Sequence, residues 1–147
     1  MKLIYVLATA LVLAAPMGVQ AGIRMEIGKR MPDGTVYAGV SPDTRTPMYT
    51  TPNDAPGIYS SKKGVEYCTI MDAGGHKDWR VPTKGELNML YNNRAAIGGF
   101  NEAGLIPGGW YLSSSQGDAD HAWAQRFSNG KQVEDYKNVD SSLRCVR

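Results

Sequence analysis

The sequence predicts an α+β domain, with two helices preceding a set of antiparallel strands and long loops between the elements. Three observations carry that expectation. Thr83 and Glu86 form a capping box just ahead of an apolar stripe. Val65, Cys68 and Met71 recur at a spacing of three across residues 62–71. Beyond residue 109 short alternating segments flank Asn129-Gly130, a strong hairpin signal.

The elements follow in order. Lys2 precedes a largely apolar run from Leu3 to Ala15, and Val19-Gln20-Ala21 supplies compact residues of the kind a signal peptidase reads. Residues 1–21 are therefore expected to be a secretory signal; the run is shorter than the ~20 residues that span a bilayer. Without it the chain keeps 126 residues and a net charge of +1. That length suits one domain with its own core. A balance so close to neutral argues against a nucleic-acid partner, which calls for a clear basic excess. No other apolar segment approaches spanning length, so no stable membrane span is expected after cleavage, and a secreted, periplasmic or extracellular destination follows.

Residues 22–57 read as an N-terminal extension of strands and loops, with turns at Pro32-Asp33-Gly34-Thr35 and Ser41 to Pro47. The remaining domain spans 58–147. Its first helix covers about Lys62 to Met71, buries Val65, Cys68 and Met71, and is weakened by Gly64. Pro82 keeps Val81 extended. The second helix opens at Thr83 and buries Leu87, Leu90 and Tyr91. Residues 95–109 form a Gly-rich connector with an apolar cluster of Ile97, Phe100, Leu105 and Ile106.

Strands are expected at Trp110–Ser114, Ala122–Phe127 and Lys131–Tyr136, with Asn129-Gly130 turning at positive φ in both residues. A last strand over Ser142–Arg147 places Leu143 and Cys145 on one face. An exported chain with two cysteines is expected to join Cys68 to Cys145; two free thiols or an intermolecular bond are the alternatives.

In order along the chain, Asp78-Trp79-Arg80-Val81-Pro82-Thr83, Glu86-Leu87, Trp110 to Ser115, Ala122-Trp123, Phe127 with Gly130, and Arg144 to Arg147 resemble the Lcl C-terminal domain family. That is a bacterial domain of unknown function named after the end domain of a collagen-like adhesin. The resemblance covers about residues 58–147. It implies a C-type-lectin-like fold, with two helices against a twisted antiparallel sheet, long loops, and a disulfide from the first helix to the last strand. The adhesin that names the family binds sulfated glycosaminoglycans, but this chain has no collagen-like Gly-x-y tract, so avidity through collagen trimers is not implied. Fold alone does not carry function.

Catalysis is not expected. Only His76 and His121 offer imidazoles, and the recognised nucleophile-elbow, zinc and phosphate-loop patterns are absent. Ser113 to Ser115 read as hydroxyls that satisfy backbone groups. Asp118 and Asp120 could face a hard cation, but the spacing fits no EF-hand and the lectin calcium signatures are missing. Calcium is thus not favoured, and no cofactor or metal is expected.

A glycan or anionic cell-surface ligand is the expected partner. The loop around residues 113–121 supplies Ser114, Gln116, Asp118, Asp120 and His121, and Tyr111 is the aromatic expected to be exposed beside it. Arg126, Lys131 and Lys137, with Arg144 and Arg147, form a basic set suited to sulfate if their strands are neighbours. Trp79, Trp110 and Trp123 read as core residues. The alternative is a structural or protein–protein component of the cell envelope.

Overall fold

A computed structural model describes residues 24–147, and the expected signal segment lies outside the described residues. The elements run β1 (Val36–Val40), β2 (Pro47–Thr50), α1 (Ser61–Ile70), α2 (Lys84–Asn92), α3 (Arg94–Ile97), β3 (Trp110–Gln116), β4 (His121–Arg126) and β5 (Gln132–Tyr136). The mixed α+β class is as expected. Strands β1 and β2 pair as one antiparallel hairpin, and β3-β4-β5 form an antiparallel meander.

No continuous strand forms at residues 142–147. The segment runs as a seam between the two sheets, touching Tyr59 from Ser141, Tyr111 from Ser142, and both Thr50 and Arg80 from Val146. Its alternation still divides the interior. Leu143 and Cys145 join Cys68, Trp79, Val81 and Leu112 in one apolar cluster. Val146 joins Val36, Ala38, Met48, Leu87, Leu90, Tyr111 and Phe127 in the other. The β1–β2 hairpin therefore shares its core with α2 and β3.

Helix α1 forms where expected and turns Cys68 and Met71 toward the core, but not Val65. Gly64 and Cys68 are its buried residues, while Val65 is 50% exposed. A Cβ on Gly64 would stand 2.9 Å from Leu112 Cδ1, so the missing side chain is what brings α1 down on β3. The disulfide between Cys68 and Cys145, 77 residues apart, then ties this face to the seam.

The capping box of α2 is complete: the Thr83 hydroxyl accepts from Glu86 N–H, and the Glu86 carboxylate accepts from Thr83 N–H. Glu86 does more than cap. Fully buried, it also receives the Arg80 guanidinium at 2.6 and 2.7 Å and the Ser41 hydroxyl at 2.6 Å, so it locks the β1–β2 loop to α2.

Two further expectations are corrected. Leu105 and Ile106 are 70% and 78% exposed, because the connector closes its interior with Ile97 and Phe100 alone. At the β4–β5 turn only Gly130 has positive φ. The loop is longer than a two-residue hairpin: Gly130 N–H donates to Arg126 O and Arg126 N–H to Lys131 O.

Candidate functional site

The β3–β4 hairpin tip collects most of the residues singled out from the sequence. Strand β3 is out of register between Leu112 and Gln116, where the intervening serines bulge away from β4. Their polar groups are occupied locally. Ser114 N–H donates to Pro82 O, and the Ser115 hydroxyl accepts from Lys84 N–H, both at 2.8 Å.

Beyond the bulge, Asp118 organises the turn. Its Oδ1 accepts from Asp120 N–H, His121 N–H and the His121 ring nitrogen, each at 2.8 Å. The His121 side chain, then those two backbone donors, hold the Asp118 carboxyl below its usual range. Lys137 fastens the tip to the end of β5. Its ammonium donates to Gln116 Oε1 at 2.9 Å, Asp118 O at 3.1 Å and Ala119 O at 2.7 Å. On the same face the His121 ring lies 4.3 Å from that of Tyr136, which is 59% exposed. Asp120 is exposed beside them.

A cleft of about 720 Å³ opens between the start of α1 and β3, next to the tip. Val65, Val81, Leu112 and Ala122 make its apolar floor; Lys62, Glu66, Ser114, Gln116, Lys137 and Asn138 make the rim. The α1 side of this cleft is invisible in the sequence, since it depends on how closely the helix crosses β3. The one local hint is Gly64, a helix-weakening residue whose cost packing repays.

Several expected residues lie elsewhere. Tyr111 is fully buried, not exposed. Its hydroxyl donates to the Asp54 carboxylate and accepts from Asn101 N–H, and burial, followed by that hydrogen bond to Asp54, pushes the phenol up. Arg126 sits at the far end of β4, with Nε and Nη2 spent on Gly104 O. Lys131 is exposed in the β4–β5 turn, remote in register from Lys137.

Arg144 is completely buried against Asp54, and Arg147 pairs with Asp78 at 3.0 Å. The basic set is therefore dispersed and makes no single patch. Of the tryptophans only Trp79 belongs to the core. Trp110 and Trp123 are half-buried, and the Lys84 ammonium rests 3.1 Å over the Trp123 ring.

Among the described residues no three His, Cys, Asp or Glu side chains converge as a metal-holding group. His76 bonds Asp33 and His121 bonds Asp118, so each imidazole sits beside a carboxylate. Both cysteines are in the disulfide.

Residues 39–147 match the family model described as the Lcl C-terminal domain. The match begins inside β1, upstream of the boundary expected at residue 58. No curated protein matches the chain.

Proposed function

The chain belongs to the Lcl C-terminal domain family, and we propose that it is an exported, non-catalytic binding module whose β3–β4 tip recognises a glycan or an anionic surface ligand. The observation that carries this reading is the hydrogen-bonded closure of the tip. Asp118 satisfies the turn from inside and Lys137 fastens it from β5, so Gln116, Asp120, His121 and Tyr136 are presented with little entropy left to lose on binding. An exposed tyrosine ring offers a sugar its apolar face, and the surrounding carboxylate, amide and imidazole offer hydroxyl partners. No cofactor has a part in this reading.

The C-type-lectin-like assignment belongs to the same proposal. Its support is the pair of helices α1 and α2 beside an antiparallel meander, joined by a disulfide from α1 to the closing segment. For export the support is that disulfide, a bond characteristic of oxidising compartments. No helix among the described residues is long and apolar enough to cross a membrane.

One observation favours a second reading, a protein–protein role in the envelope. Exposed Leu105 and Ile106 lie beside a groove of about 300 Å³ that includes Ile106, Pro107 and Trp110.

The test is an array of neutral and sulfated glycans probed with oxidised protein, with and without a calcium chelator. Retention that falls with Tyr136→Ala and persists with Lys131→Glu supports the tip. Chelator-sensitive retention adds a cation at Asp118 and Asp120. Silence across the array sinks the glycan reading and leaves the envelope role.

A further inference from the structure

We propose that the cleft between α1 and β3 takes the aliphatic chain of an anionic amphiphile, with its carboxylate at the Lys62 and Lys137 end. This goes beyond recognition at the hairpin tip and does not depend on it.

Size comes first. A volume of about 720 Å³ lies in the range of small-molecule sites, which are mostly apolar with a few placed polar groups. The chemistry of the lining narrows the occupant. Val65, Val81, Leu112 and Ala122 form an aliphatic floor, and no aromatic ring lines the cleft, so a sugar ring finds no face to stack on. A peptide strand is disfavoured as well, because the wall's main chain is already paired. Leu112 N–H donates to Ser142 O, Ser114 N–H to Pro82 O, and Ser61 N–H to Lys137 O. A peptide binding by strand addition needs such groups free. An alkyl chain needs none of them.

Val65 is the telling residue. It sits half-exposed on α1 at the cleft's edge, an apolar side chain that a bound chain would cover.

Charge sets the direction of the chain. Lys62 and Lys137 stand at one end, beside the first turn of α1, which contains no acidic residue and receives no side-chain cap from Ser60. All three Lys137 N–H donors go to neutral oxygens, so Lys137 contributes an unneutralised positive charge at that end while Lys62 supplies the direct partner for a carboxylate. The acidic member of the rim is Glu66, four residues after Lys62 and so its neighbour on the helix face; two lysines against one glutamate leave the rim net positive. A carboxylate is therefore favoured near Lys62, with the chain running over Val65 and Leu112.

The experiment is a titration of the oxidised protein with dodecanoate, read by methyl-region NMR and calorimetry. Acetate (the head without the chain) and dodecyl maltoside (the chain without the charge) are run beside it. Saturable binding of monomeric dodecanoate should shift the Val65, Leu112 and Ala122 methyls, with acetate inert and dodecyl maltoside roughly tenfold weaker.

Val65→Asp should abolish the binding. Lys62→Glu should weaken dodecanoate and spare dodecyl maltoside, and it serves on its own if Val65→Asp unfolds the chain. Three outcomes overturn the proposal: no saturable binding, shifts confined to the Leu105–Ile106 loop, or equal affinity for the charged and neutral heads. Failure here leaves glycan retention through Tyr136 untouched, so the two readings fall separately.

Discussion

The Arg144 guanidinium and the Asp54 carboxylate meet at 2.8–2.9 Å, with the arginine side chain wholly enclosed. The remaining guanidinium hydrogens go to Thr51 O, Gly98 O and Gly99 O, and the Phe100 ring lies 3.9 Å away. Burial pulls the Arg144 pKa down and Asp54 opposes that pull. A cation so placed is a hub for two loops and the chain's closing segment. It is no ligand site.

Removing either partner should therefore be costly. Arg144→Met and Asp54→Asn are each expected to lose about 3–5 kcal/mol in urea denaturation, the usual penalty for leaving a buried charge unpaired. A loss below 1 kcal/mol in both would contradict the hub.

Acid should act through Glu86. Burial raises its carboxyl, but hydrogen bonds from Arg80, Ser41 and Thr83 outweigh burial, and the folded-state pKa is lowered. A depressed carboxylate contributes stability that is fully present above its unfolded pKa of about 4.3 and lost as pH falls through the folded value. Melting temperature measured from pH 7 down to pH 3 should drop in the native protein. Glu86→Gln should be less stable at pH 7, by about 1–3 kcal/mol, and its melting temperature should show a shallower acid limb.

Reduction is the third test. The Cys68–Cys145 bridge closes a long loop, worth about 4–5 kcal/mol on a chain-entropy account. Melting in reductant should fall by several degrees, and the Cys68→Ala, Cys145→Ala double variant should match it. An unchanged melting temperature would count against the bridge as a stabilising element.

Gly99 and Gly57 make a controlled pair. Both have positive φ, but a Cβ on Gly99 would meet Pro52 O at 2.2 Å, whereas nothing lies within 4 Å of one on Gly57. Gly57→Ala should cost about 1 kcal/mol for conformation alone. Gly99→Ala should cost at least about 2 kcal/mol more, since it also pushes Arg144 off its carbonyls. Equal losses would refute the steric argument.

The legible parts of this fold are those whose causes are local. The α2 helix is readable because Thr83, Glu86, Leu87 and Leu90 supply start, charge and stripe within eight residues. Alternation in the closing segment correctly pairs Leu143 with Cys145. On α1 the expectation held for Cys68 and Met71, which face the apolar cluster, and failed for Val65. Val65 and Gly64 both stand at helical spacing from Cys68, and only contact with Leu112 selects Gly64.

The candidate site divides the same way. Alternation places Trp110 and Tyr111 on opposite faces, but which face is core depends on where α2 and β1 dock. The tip residues Gln116 to His121 come together because they are consecutive. Arg144 reads equally as part of a basic surface or as the structural partner of a carboxylate; the second holds, and which carboxylate it meets is hidden because Asp54 is 90 residues away. The α1 side of the cleft is equally long-range.

The seam at residues 141–146 sets the order of assembly. These residues follow every element they touch: they bridge Tyr59, Tyr111, Thr50 and Arg80, and they deliver Cys145 to Cys68 and Arg144 to Asp54. Until they arrive neither apolar cluster can close, and a nascent chain stopped at residue 140 has no complete interior. Closing the interior thus waits on contacts of long sequence separation, whose loop-closure cost must be met before they stabilise anything, so this domain should fold more slowly than one built from local contacts.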